Sequence, residues 1–197
     1  MKKLVTCKEM KDLDSTTIRE IGVPSEVLME RAALKVVEET EKYLQKDERI
    51  LVVCGSGNNG GDGIAVARLF HLKGIRVEFY MVGNKDKMTR ETALQYKIAS
   101  GYRVPEVNNP QWSEYTTIVD AVFGVGLTRP IEGHYADIIH EMNSARAKKI
   151  AVDIPSGVNG DTGLEMGIAF SADLTVTFAY RKRGLCFYPG RLYAGRI

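Results

Sequence analysis

The stretch Ile50-Leu51-Val52-Val53-Cys54, followed at once by Gly55-Ser56-Gly57-Asn58-Asn59-Gly60-Gly61-Asp62-Gly63, limits the fold of this chain more than any other segment. Five consecutive apolar residues leave no polar face for water, so a strand here must be covered on both sides. Glycines that give way to helical spacing at Ala65, Val66, Leu69 and Phe70 complete a strand, turn and helix. The alternation then repeats. Strands are predicted at 77–82, 117–123 and 149–154, with a further one marked by Leu174, Val176 and Phe178. Helices are predicted at 92–99 and around Tyr135, Ile138, Ile139 and Met142, with a short extended piece at 102–107. Strands alternating with helices predict an α/β fold, a mainly parallel sheet with helices on both faces.

Two helices within 8–46 precede this 50–197 core, and the absence of any linker or repeat predicts one domain over 1–197. Met10, Leu13, Ile18 and Ile21 recur at helical spacing until Gly22. Ser25 is the expected N-cap of the second helix, and Val27, Leu28, Ala32, Val36, Val37 and Leu44 its apolar stripe. The segment 192–197 resembles the approach to another strand.

Charge and cysteine usage bound the partners and the compartment. Lys plus Arg is 27 against 25 Asp plus Glu, a net +2 that gives no electrostatic ground for a nucleic-acid partner. Cys7, Cys54 and Cys186 are too few and too scattered for a disulfide framework or a zinc site. Lys8-Glu9 interrupts the opening apolar run after four residues, short of the roughly seven that a signal peptide needs. No run approaches the roughly 18 apolar residues of a membrane helix. The expectation is a cytoplasmic protein without membrane contact.

In an open parallel sheet, ligands bind outside the carboxyl ends of the strands, where the glycine loop falls. Gly55-x-Gly57-x-x-Gly60 formally matches a dinucleotide fingerprint, and Glu78 lies at the distance of a ribose-binding acid. An ordinary NAD(P)-dependent oxidoreductase is therefore one reading. Against it stand Asp62 at the helix start, the Asn58-Asn59 pair and the extra glycines Gly61 and Gly63. A P-loop is excluded, since no Gly-Lys-Ser/Thr follows. Asp120 in Val119-Asp120-Ala121-Val122-Phe123-Gly124, and Asp153 in Val152-Asp153-Ile154-Pro155-Ser156-Gly157, each fall near a strand end. A buried carboxylate there needs a partner or a ligand.

Gly57 to Gly63, the Val119 to Gly124 stretch and the Asp153 to Gly157 stretch together resemble the signature segments of the NAD(P)H-hydrate epimerase family. The resemblance extends to Gly22-Val23-Pro24-Ser25 with Leu28-Met29-Glu30, and to Thr175-Val176-Thr177-Phe178. It implies a Rossmann-like three-layer sandwich that interconverts the R and S forms of hydrated NADH or NADPH at C6. It implies substrate contacts at Asn58, Asn59, Gly60, Gly61 and Asp62 and at the phosphate loop Gly124, Val125, Gly126, Leu127, Thr128, Arg129 and Pro130. Asp153 is the implied substrate-side acid, and Asn59, Asp120 and Ser156 the implied ligands of a potassium ion. An all-oxygen set suits a hard cation, but potassium itself rests on the resemblance alone. A homodimer and a functional link to a hydrate dehydratase are also implied. The chain departs from the family at Tyr180-Arg181-Lys182-Arg183, which is more basic than usual, and at Arg129-Pro130, where small residues are commoner.

Epimerisation requires C6 to become planar, by loss of hydroxide or by ring opening, and a group that exchanges a proton with the C6 oxygen. Asp153 is the expected group. A non-catalytic binding or scaffold module of the same fold is the remaining alternative. Plainer roles suffice elsewhere: His71, His134 and His140 as packed or surface residues, Cys54 as a core thiol, Trp112 and Tyr115 as packing residues. Arg181-Lys182-Arg183 reads as a solvated turn.

Overall fold

The computed structural model describes residues 3–197. In chain order its elements are β1 (Leu4–Val5), α1 (Cys7–Arg19), α2 (Ser25–Glu41), β2 (Arg49–Cys54), α3 (Asn58–Leu72), β3 (Arg76–Met81) and α4 (Arg90–Gly101). There follow β4 (Thr117–Ala121), α5 (His134–Ser144), β5 (Lys148–Val152), β6 (Leu174–Val176), β7 (Arg181–Lys182) and α6 (Gly190–Tyr193). Five strands form one all-parallel sheet in the order β3-β2-β4-β5-β6. The side chains of β2 alternate as the pleat requires. Ile50, Val52 and Cys54 pack with Ala33, Val36 and Val37 of α2, Ile64 to Ala67 of α3 and Ala99 of α4. Leu51 and Val53 pack on the other face with Ile139 and Met142 of α5. The expected three layers are present.

Because β3 and β4 flank β2 on opposite sides, the order of strands reverses between β2 and β4. The loops that leave those two strands diverge and open a crevice at the carboxyl edge, the usual place for a ligand in a doubly wound sheet. The glycines of α3 set its depth. A Cβ at Gly60 would sit 1.8 Å from the Gly55 carbonyl oxygen, and one at Gly63 would sit 2.4 Å from Ala121 Cβ and 3.0 Å from Cys54 Sγ. The first turns of α3 therefore press directly onto the ends of β2 and β4.

Four details differ from the sequence expectations. The buried face of α2 is Met29, Ala33, Val36, Val37 and Thr40, while Val27 is 44% exposed. The helix turns that face toward α3, and Leu28 and Ala32 instead line a cavity beside α1. Pro24 occupies the N-cap of α2, and Ser25 is its first helical residue, hydrogen-bonded to Glu91 Oε1 at 3.1 Å. Residues 190–193 are helical rather than extended; beyond them the Ala194 carbonyl accepts from the Thr175 hydroxyl and Arg196 forms an isolated bridge to Leu174. The triplet 181–183 is not a solvated turn. Arg181 and Lys182 form β7, paired in parallel with β1, and Lys182 is fully buried.

Among the described residues no helix is long and apolar enough to cross a membrane. The close seating of α3 gives a direct expectation: Gly63→Ala overpacks the helix against the sheet and lowers stability by about 1–3 kcal/mol in chemical denaturation. An unchanged midpoint would mean that α3 can lift from β4 at little cost.

Candidate active site

Two aspartates with the same strand-end origin acquire different environments. Asp120, the fourth residue of β4, is fully buried. Its Oδ2 accepts from the Ser156 N–H at 2.7 Å, and its Oδ1 accepts from the Ser156 hydroxyl at 2.6 Å and the Val122 N–H at 3.2 Å. The Ser156 hydroxyl also accepts from the Phe123 N–H at 2.8 Å, so the loops after β4 and β5 are stitched together. Burial pushes the Asp120 carboxyl up to about 6 although all three donors act the other way. Burial disfavours the charge of so deep a carboxyl even with both oxygens hydrogen-bonded, the condition in which a neighbouring cation is favourable.

Asn59, in the first turn of α3, lies against the β4 loop, where a Cβ on Gly124 would meet its amide at 3.3 Å. Asn59 Nδ2 is buried without a hydrogen-bond partner among the described residues. Amide orientation is an assignment, so either end of this group can be the one aimed at a ligand. The described residues hold no cluster of three His, Cys, Asp or Glu fit for a metal. Asn59, Asp120 and Ser156 instead offer neutral oxygens and a single carboxylate. That set fits a large monovalent cation better than calcium, which usually gathers several carboxylates.

Asp153 follows β5 directly and adopts a left-handed backbone, φ 66°, unusual and strained for a residue other than glycine. Its N–H is tied to the Val176 carbonyl at 2.9 Å. Oδ1 accepts from the Thr177 hydroxyl and the Phe178 N–H, both at 3.1 Å, and from Lys182 Nζ. No donor among the described residues reaches Oδ2. One oxygen is held by three donors and the other by none of the described residues.

Asp153 lines a cavity of about 860 Å3 that also exposes Asn58, Asn59 and Asp62 of α3 and the loop residues Gly124, Val125, Gly126 and Leu127. This is the size of a small-molecule site. Gly57 caps α3 without a side-chain hydrogen bond, so the first N–H groups of the helix remain available to an anion at the cavity wall. Helix α1 lies over the opening and contributes Lys11, Asp14, Ser15, Ile18 and Arg19. The structure thus brings most of the sequence candidates together. Gly60 and Gly61 lie instead within the packed first turns of α3. Thr128, Arg129 and Pro130 are exposed and do not line the cavity.

Asp62 is half-buried, and its carboxyl is pushed well above the usual range by burial, with Asp153 and Asp14 adding to the effect and Lys182 opposing it. Lys182 and Asp14 are the site residues that sequence reasoning missed. No local pattern marks either, since the partner of Lys182 lies 29 residues away. Glu78 is not a ribose acid: it accepts from the Tyr115 hydroxyl at 2.6 Å and pairs with Arg49 at 3.3 Å, short of the sheet's carboxyl edge. Cys54 is buried, and its thiol is pushed far up by burial, in keeping with an inert core residue.

The family described as YjeF-related protein N-terminus matches residues 25–184. Proteins named NAD(P)H-hydrate epimerase are similar over nearly the whole chain. That of Limosilactobacillus reuteri (strain ATCC 55730 / SD2112) is 49% identical over 197 residues, covering 99% of this chain and 93% of the relative. Those of Oenococcus oeni and Limosilactobacillus fermentum are 48% and 45% identical, each covering 98% of this chain and 93% of the relative. Among solved structures, yeast ynu0 superposes with a TM-score of 0.83 at 23% identity, over 93% of this chain and 83% of that one, and shows the same fold. On the match to 25–184 and on relatives of this similarity and coverage, the chain belongs to the YjeF-related N-terminal family.

Proposed function

We infer that this chain is an NAD(P)H-hydrate epimerase, an isomerase that interconverts the R and S forms of hydrated NADH and NADPH at C6. The observation that carries the mechanism is the asymmetry of Asp153, with Oδ1 held by three donors and Oδ2 undonated beside the cavity. On the ring-opening route Oδ2 takes the proton of the C6 hydroxyl as the C6–N1 bond breaks and passes it to N1, and closure on the other face reverses both transfers. On the iminium route the C6 hydroxyl receives a proton and leaves as water, and Oδ2 takes a proton from the water that adds to the other face. Asp62, favoured in its neutral form, donates a hydrogen bond to the same region. Two carboxyl groups whose surroundings differ can divide acid and base roles. The free N–H groups of α3 and the backbone of Gly124 to Leu127 suit the pyrophosphate.

Potassium belongs to the same reading. Asn59, Asp120 and Ser156 would hold it, and when bound it would supply a fixed positive charge under the cavity floor. The support is the buried Asp120 carboxyl and the orphaned Asn59 amide. We also propose a cytoplasmic homodimer working beside a hydrate dehydratase. Three free cysteines suit a reducing compartment, and the exposed Leu13, Ile21, Val27 and Leu34 on and beside α1 and α2 offer a candidate face.

The decisive experiment starts from the purified R-epimer of hydrated NADH and follows its conversion by chromatography, with and without the protein. Conversion well above the spontaneous rate is expected. A folded protein that binds the hydrate without accelerating its conversion is a binding module instead. Asp153→Asn is expected to lower kcat by about 10²- to 10⁴-fold with the fold intact; full activity would remove Asp153 from the proton step. Potassium at about a hundredfold over its Kd is expected to add about 2.7 kcal/mol of stability relative to a bulky organic cation. Asp120→Ala should abolish that increment, and an increment that survives the substitution places the ion elsewhere.

A further inference from the structure

We propose that Lys182 is the positioning residue of the reaction, holding Asp153 in the one orientation that leaves Oδ2 free for the substrate; this rests on the epimerase reading above. Lys182 is fully buried, and all three of its ammonium protons are committed. They go to Asp153 Oδ1, to Thr177 Oγ1 at 3.2 Å and to the Phe178 carbonyl oxygen at 3.1 Å. Thr177 closes the triangle, since its hydroxyl donates to the same Asp153 oxygen. A buried ammonium with every proton bound has no freedom to follow a moving partner, so it imposes its geometry on the carboxylate.

A merely structural ion pair would be indifferent to which carboxylate oxygen it bound. Here the Phe178 N–H, the Thr177 hydroxyl and Lys182 all converge on Oδ1. The second oxygen receives no donor among the described residues, and the residue lines the cavity. Asp14 and Asp62 line the same space as Asp153, so two further carboxyl groups stand near it. The buried ammonium offsets that charge without lining the cavity of the Gly124 loop. It is delivered by β7, whose short parallel pairing with β1 sets the reach of the side chain.

The test measures kcat and KM on the R-epimer of hydrated NADH for the full chain carrying K182M, K182R, T177V and D153N, and for the D153N/K182M double variant, each checked for folding by circular dichroism. K182M keeps the volume and the apolar stem but frees the carboxylate. It is expected to lower kcat by about 100-fold with KM changed less than about threefold, the pattern of a lost transition-state contribution. K182R should recover part of the loss. T177V removes the shared hydroxyl, and with it one of the lysine's three acceptors, while leaving the Lys182–Asp153 pair, and about a tenfold lower kcat is expected. If Lys182 acts through Asp153, then K182M has no further effect in the D153N background. Losses that multiply in the double variant, or a folded K182M with wild-type kcat, overturn the proposal. Should K182M fail to fold, a T177V protein with full kcat overturns it equally. An inactive wild-type protein would instead remove the epimerase reading, whatever the lysine does.

Discussion

The approach of α3 to the ends of β2 and β4 is the constraint on which the rest of the site depends. A helix of ordinary side chains packs about 10 Å from a sheet, too far for its first turn to reach the strand termini. With glycine at 60 and 63, the backbone itself makes the contact, and the turn is pressed into the crevice where the strand order reverses. Three consequences share that cause. The free N–H groups of the helix face the cavity, Asn59 reaches the Gly124 loop, and Asp62 is drawn from water toward Asp153.

Asp120 and Asp153 then show how one sequence device can serve two ends. Both sit where a strand runs out into a loop beside the same crevice. Asp120 is saturated by Ser156 and Val122 and sealed beneath the loops it joins. Asp153 is saturated on one oxygen only, with a left-handed backbone that turns it toward the cavity. Asp120 thereby ties two loops together, whereas Asp153 keeps one undonated oxygen beside the cavity. Backbone strain at Asp153 is tolerable because Val176, Thr177 and Phe178 hold the residue from the neighbouring strand and the segment after it.

Much of this was legible in the order of residues because it is local. The apolar run of β2, the glycine loop and the two strand-end aspartates each lie within a dozen residues, and period and composition mark them. What resisted reading is non-local. The inward face of α2 depends on where α3 and α1 lie, so Val27, expected in the apolar stripe, is exposed, and Met29, outside that stripe, is buried. Glu78 has the right spacing for a ribose acid and the wrong height on its strand, a distinction visible only once Arg49 and Tyr115 are beside it. Lys182 sits between two arginines, and charge runs are normally solvated. A lysine goes inside only with a counter-charge, and that counter-charge belongs to another βα unit.

The pairing of β1 with β7 sets a schedule for assembly. Strand β1 is made at residues 4–5 and β7 at residues 181–182, so the contact that carries the lysine spans nearly the whole chain. Contacts of such long range form late, after the loop-closure entropy between them has been met by other structure. During synthesis the sheet, the glycine crevice and Asp153 itself can all be in place while its ammonium partner has yet to emerge. The docking of β7 on β1 is thus what brings the ammonium to Asp153. A short pairing outside the glycine crevice, rather than the crevice itself, therefore governs the surroundings of that carboxylate.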